Sequence, residues 1–228
     1  MAEERWERLA AATGIVFAIV AAIALLVAPT PPDPGTSPEG VVSYFTENGD
    51  KLRLQSFLLG LAGIAFLWFL GTLRAYLGAA EGANNRLSAT MFGAGVAAFA
   101  AFGTGIGIAA ALAHRVAEQA DPGVTSALHD VASMFFAGSS FPIAALFGAI
   151  ALVSGRTKAL PAWLGWYAWI LVPAAVIGGG AVFLDSGAFA PGGIFGYVTF
   201  GLFLLWFLGA SLILMQRVGR DTAPTTRG

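Results

Sequence analysis

The 228-residue chain contains no cysteine. That excludes a disulfide framework, a thiolate metal site and a cysteine nucleophile. Charge is scarce too. Asp, Glu, Lys and Arg make up 11% of the residues, against about 25% in an ordinary soluble domain. The net charge of −1 carries no basic field that would attract nucleic acid. Histidine occurs twice, at His114 and His129, so a three-histidine metal site is excluded. What fills the chain instead is apolar: 57% of residues are hydrophobic, mean hydropathy is +0.76, and Gly and Ala are abundant. Small residues suit close helix packing in lipid.

A membrane-crossing helix needs about 20 predominantly apolar residues. Six stretches meet that test, predicting spans near 9–28, 52–77, 88–114, 126–154, 160–184 and 193–215, in one membrane domain over 1–228. The first follows an acidic "MAEERWER" and is longer than a signal-peptide core, so it reads as a retained helix. Placing the N-terminus in the cytoplasm puts Arg5, Arg8, Arg74, Arg86, Arg156, Lys158, Arg217, Arg220 and Arg227 inside. Only Lys51, Arg53 and Arg115 then lie outside. Cytoplasmic loops carry the excess of Lys and Arg, so both termini are expected inside the cytoplasmic membrane. The outer face collects Asp33, Glu39, Glu47, Asp50, Glu118, Asp121, Asp130 and Asp185, which reads either as solvated loop ends or as a vestibule that concentrates cations.

In the first outer loop, "PTPPDPGTSPEG" is too rich in proline for regular structure. "SPEGVVSYFTENG" predicts a short helix with Ser37 as N-cap, Pro38 at its first position and Gly49 ending it. Val41, Val42, Tyr44 and Phe45 on one side would lay it on the outer membrane surface. The tail over 217–228 reads as disordered, with Arg217 and Arg220 at anionic headgroups. "FLWFLG" (66–71) echoes "LLWFLG" (204–209), which admits a repeat of the helix 1–2 and 5–6 hairpins or chance. "GAGVAA" (93–98) lacks the preceding strand that a dinucleotide-binding turn needs. In helix 3, Gly103, Gly107 and Ala111 form one stripe of small residues and Ala101, Gly105 and Ala109 a second. They predict a packing face and make this the most enclosed helix. Pro142 and Pro173 with "GGG" (178–180) predict kinks in helices 4 and 5.

The titratable groups gather in "LAHRVAEQADPGVTSALHD" (112–130). Asp121 is an N-cap candidate with Pro122 behind it, so helix 3 can run to about Gln119 before helix 4 begins. This hairpin is longer than the bilayer requires and lifts His114 and His129, and Arg115 and Asp130, to matching heights near the outer boundary. With Arg53, Gln55 and Asp185 these residues form a candidate outer polar cluster. Three readings stay open: a structural cluster with an Arg115–Asp130 pair, a metal site built on the two histidines and a carboxylate, or the mouth of a proton or ion path. No acid, base or histidine continues below it on any span, leaving Thr104, Ser139 and Ser140 as polar groups.

The succession "ERWERLAAATGIVFAIV", "VVSYFTENGDKLRLQSFLLGLAGIAFLWFLGTLRAYL", "LPAWLGW" and "SGAFAPGG" resembles uncharacterised bacterial six-helix membrane proteins of a domain-of-unknown-function family, over nearly the whole chain. The resemblance implies the six-span topology and carries over no activity or functional residue. The expectation is thus an all-α, six-transmembrane-helix bundle without catalytic residues, cofactor or metal. Its partners would be the lipid bilayer and a second copy or another membrane protein, with no nucleic acid. A small transporter or channel, and an outer-face enzyme or metal site using His114, His129 and Asp130, are the alternatives.

Overall fold

A computed structural model describes residues 2–33 and 35–218. Among these residues the chain is helical, with no strand. The helices are α1 (Ala2–Val27), α2 (Pro38–Glu47), α3 (Gly49–Glu81), α4 (Arg86–Ala111), α5 (Pro122–Gly138), α6 (Ser140–Thr157), α7 (Ala162–Gly179) and α8 (Ile194–Val218). A π-helical turn, Leu112–Val116, and a final turn, Ala117–Gln119, extend α4. A 3-10 turn, Gly180–Phe183, extends α7. Six segments are long and apolar enough to cross a membrane: Arg5–Val27, Gly49–Glu81, Arg86–Gln119, Pro122–Thr157, Ala162–Phe183 and Ile194–Arg217. This is the composition and length of a multi-pass membrane protein. From residue 219 onward the tail, with Arg220 and Arg227, lies outside the described residues.

Local chemistry sets several of these boundaries. Ser37 Oγ accepts from the Gly40 amide at 3.2 Å with Pro38 behind it, the cap its sequence predicts. Asp121 Oδ1 accepts from the Gly123 amide at 2.8 Å and opens α5 in the same way. Gly49, expected to end α2, begins α3 instead, with Asn48 as the hinge between the two helices. The start of α4 is satisfied from a distance: Glu81, at the end of α3, accepts from the Leu87 and Ser88 amides at 2.8 and 2.9 Å. Free amides of a first turn favour an acidic partner. Pro142 lies in the first turn of α6, and the helix breaks just before that turn at Ser139. Pro173 is carried within α7.

The six segments form a ring in chain order. α1 packs on α3, α3 on α4, α4 on α5 and α6, α6 on α7, α7 on α8, and α8 closes back on α1. The centre is aromatic. Phe17, Phe66, Phe147 and Phe203 all surround Phe207, with centroid distances of 4.7–6.4 Å. Trp206 is fully buried, and its Nε1 donates to the Leu164 carbonyl at 3.0 Å. Its counterpart in the echoed hexapeptide, Trp68, is exposed and meets Trp6 edge-on. The two tryptophans thus occupy different environments, whereas the matched pairs Phe66 and Leu204, and Phe69 and Phe207, are buried alike.

α4 differs from expectation. Its span is the least enclosed of the six, with 22% of its most apolar window buried. The stripe Ala101, Gly105, Ala109 faces inward, where a Cβ on Gly105 would stand 2.7 Å from Phe136. The neighbouring stripe faces outward: at Gly103 and Gly107 a Cβ would meet no atom within 4 Å, and Ala111 is exposed. Helical period allows only one of two adjacent stripes to point at the core. The most enclosed span is instead Pro122–Thr157, with 44% of its window buried. α1 makes a close approach at Gly14, where a Cβ would press on the buried Phe69 ring at 2.7 Å and Ser211 Cβ at 2.9 Å. Neither atom can move freely. Gly14→Ala is expected to destabilise the bundle by about 1–3 kcal/mol through overpacking, whereas Gly107→Ala leaves stability nearly unchanged. Thermal unfolding of both variants in the same detergent checks the contrast.

Candidate functional site

The candidate site is the end of the bundle where α2, the α3 N-terminus and the α4 π-turn meet. Two apolar faces make this meeting possible. Val41 and Phe45 of α2 bury against Leu52 of α3 and Leu112, Ala113 and Ala117 of the α4 extension, forming a core separate from the aromatic one. The approach is close, since a Cβ on Gly49 would stand 3.0 Å from the Ala113 carbonyl oxygen. A π-turn inserts one extra residue into a helix and so shifts the faces of whatever follows; such turns are frequent at functional sites. Here it holds Leu112 and Ala113 inward and leaves His114 and Arg115 exposed.

The polar residues divide into two sets. Arg53 and His114 come together: Arg53 Nη1 donates to His114 Nδ1 at 3.4 Å. Because a guanidinium only donates, Nδ1 is the acceptor here and the ring hydrogen sits on Nε2. Arg53 also pairs with Asp50, one turn earlier on α3. Both partners are largely solvated, so the pair adds at most about 1 kcal/mol and serves chiefly to orient the guanidinium.

His129 belongs elsewhere. It is buried, its Nε2 donates to the Pro32 carbonyl at 3.3 Å, and its ring meets Phe45 edge-on at 5.7 Å. Gln55 donates to the Ala24 carbonyl at 3.0 Å, fastening α3 to the end of α1. Tyr44 donates to the Pro29 carbonyl at 2.9 Å, and burial, reinforced by Tyr197, holds its phenol well above the usual range. Thus the proline-rich loop is held by side chains that donate to its carbonyls. This is the general remedy for a segment that cannot form its own backbone bonds.

Other expected pairings are replaced. Arg115 forms no ion pair with Asp130 among the described residues. Its guanidinium lies beside the Gln119 amide, one turn along its own helix, whose oxygen accepts from it when the amide is turned toward it. Asp130 and Asp185 are exposed, and neither forms an ion pair among the described residues. The two histidines have separate partners, and no group of three His, Asp or Glu side chains among the described residues is arranged to hold a metal ion. Arg217, expected at headgroups, instead donates to the Tyr76 hydroxyl and the Ala159 carbonyl at the opposite end. It ties α3, the α6–α7 turn and α8 together there.

Two cavities meet at Arg53 and His114. One is an open groove of about 550 Å³ running down between α3 and α4, lined by Phe57, Ile106, Gly103, Gly107 and Ala111. The other, of about 390 Å³, lies on the far side of the same two residues and is lined by Glu47, Asp50, Lys51 and Glu118. Gln55, Arg115, His129, Asp130 and Asp185 line neither. Sequence reasoning missed Glu47, Lys51 and Glu118 as members of this site. The signal lay in the Asn48–Gly49 hinge, which folds α2 back over α4.

His129→Ala removes one hydrogen bond to the loop together with the Phe45 contact. Losing a bond worth about 1 kcal/mol speeds local opening about fivefold. Amide exchange over residues 29–47 is expected to rise by at least that factor, while exchange in α7 and α8 stays unchanged. No protein-family model, curated protein or solved structure matches the chain, so the chemistry of this site rests on its own geometry.

Proposed function

We propose that the protein is a non-catalytic interaction protein of the cytoplasmic membrane. Both termini are cytoplasmic, α2 lies along the outer surface, and the groove between α3 and α4 receives a partner that lives in the membrane. The topology is supported by the distribution of Lys and Arg. α2 acts as a cap on that end of the bundle: the Val41 and Phe45 face, expected on the membrane surface, packs on Leu52 and the α4 extension instead, while Glu39 and Glu47 stay exposed.

The observation that carries the interaction reading is the outward stripe Gly103, Gly107, Ala111, set in a groove with the Arg53–His114 pair at its mouth. In lipid, association depends on close packing and on polar contacts rather than on a hydrophobic drive. A groove floored by glycine and topped by donors offers both. The transport reading is opposed by the centre of the ring, where Phe17, Phe66, Phe147, Phe203 and Phe207 interlock. Apolar rings in contact leave no polar groups to replace an ion's hydration.

Two experiments test this. The chain has no native cysteine, so single cysteines report topology directly. Glu39→Cys is expected to react with a membrane-impermeant maleimide in intact cells and Ala83→Cys only after permeabilisation; the reverse pattern overturns the orientation. Extraction in mild detergent is expected to yield the protein with a stoichiometric membrane component, whether lipid, second copy or other protein, that Gly107→Leu fails to retain. A bare monomer for both forms overturns the interaction reading.

A further inference from the structure

We infer that the component held in the α3–α4 groove is a zwitterionic amino-phospholipid, one acyl chain lying in the groove and its headgroup spanning the Arg53–His114 pair. The inference rests on the interaction reading above and names the partner of that same groove.

Length is the first argument. From Gly103 to His114 is 11 residues of helix, about 16 Å at about 1.5 Å per residue. That equals roughly half of a hydrocarbon core about 30 Å thick, the depth of a single leaflet. Volume is the second. At about 550 Å³ the groove is within the range of small-molecule sites, about 300–1,000 Å³. A helix, about 10–12 Å across, would cover such a groove rather than enter it.

Charge is the third argument, and it selects the headgroup. Apart from Ser56, whose hydroxyl donates to the Leu52 carbonyl of its own helix at 2.8 Å, the walls of the groove are apolar until its mouth, where Arg53 and His114 stand. With Nδ1 engaged by Arg53, the His114 Nε2–H is left to donate. A guanidinium beside an N–H donor matches a phosphate oxygen. Immediately beyond the same two side chains, the second cavity presents Glu47 and Glu118 along with the Asp50 already paired to Arg53. Lys51 is the one further cation lining it. A phosphate at the mouth therefore places a headgroup ammonium among carboxylates, and a second negative charge in its place would meet repulsion. The order of apolar trough, guanidinium with its N–H neighbour, and acidic pocket repeats the order of acyl chain, phosphate and amine in the lipid.

The test uses the full chain in vesicles of equal phosphatidylethanolamine and phosphatidylglycerol, extracted gently and weighed by native mass spectrometry. Wild type is expected to retain phosphatidylethanolamine at least fivefold over phosphatidylglycerol. Gly107→Leu fills the groove, is lipid-facing and should fold; it is expected to lose retention of both lipids about tenfold. Arg53→Gln should weaken both lipids alike. Glu47→Gln with Glu118→Gln, at exposed carboxylates of which Glu47 accepts from Ser43 on its own helix, a bond that the glutamine oxygen can keep, should abolish the preference while total retention persists. Equal retention of the two lipids by wild type overturns the headgroup assignment. Undiminished phosphatidylethanolamine on a Gly107→Leu variant that elutes and melts like wild type overturns the groove assignment. Gly107→Cys chains that form disulfide-linked dimers in native membranes would assign the groove to a second copy. That overturns the lipid and leaves the interaction reading standing. If no component, lipid or protein, depends on Gly107 for its retention, both readings fall.

Discussion

Phe207 touches rings from α1, α3, α6 and its own helix, and the arrangement of the bundle depends on that contact. In hydrocarbon, burying apolar surface gives helices no reason to prefer one another over lipid. Shape must supply the preference. Interlocking aromatic rings give large contact areas with favoured edge-to-face geometry, and here they come from helices far apart in the chain. Gly14 and Gly105 complete the fit by letting Phe69 and Phe136 approach helix backbone. One arrangement of six apolar cylinders is thus distinguished from the many that hydropathy alone permits.

Where the helices leave this centre, carbonyl clips take over. At one end Gln55, Tyr44 and His129 donate to Ala24, Pro29 and Pro32. At the other, Tyr76 and Arg217 share the Ala159 carbonyl, and Glu81 takes the first amides of α4. Each clip joins a loop or helix end that has lost its own backbone partners to a side chain from another helix. Histidine and arginine, the residues most easily read as functional in a chain this apolar, are partly used for this structural task.

Function then falls to what the core and the clips leave over. α4 carries two small-residue stripes, and the core consumes one through Gly105. The other opens beside α3, under the only two polar residues that line both cavities. The same surface that makes α4 the least enclosed span makes it the one with a shaped, chemically graded face toward the membrane.

The number of segments long and apolar enough to span, the capping of α2 by Ser37 and of α5 by Asp121, and the overlong α4–α5 hairpin were legible in sequence. They follow from interactions within a few residues: apolar run length, hydroxyl or carboxylate to nearby amide, and proline's missing donor. Which glycine stripe faces the core was not legible, because both have the same spacing and only Phe136 on another helix decides between them. The separation of His114 from His129 was equally hidden. It depends on a π-turn that moves one outward and on α2 folding across the other through the Asn48–Gly49 hinge. The sequence by itself determined the segments and their caps; the packing of distant aromatic rings decided which faces remained free, since in lipid only shape tells one apolar face from another.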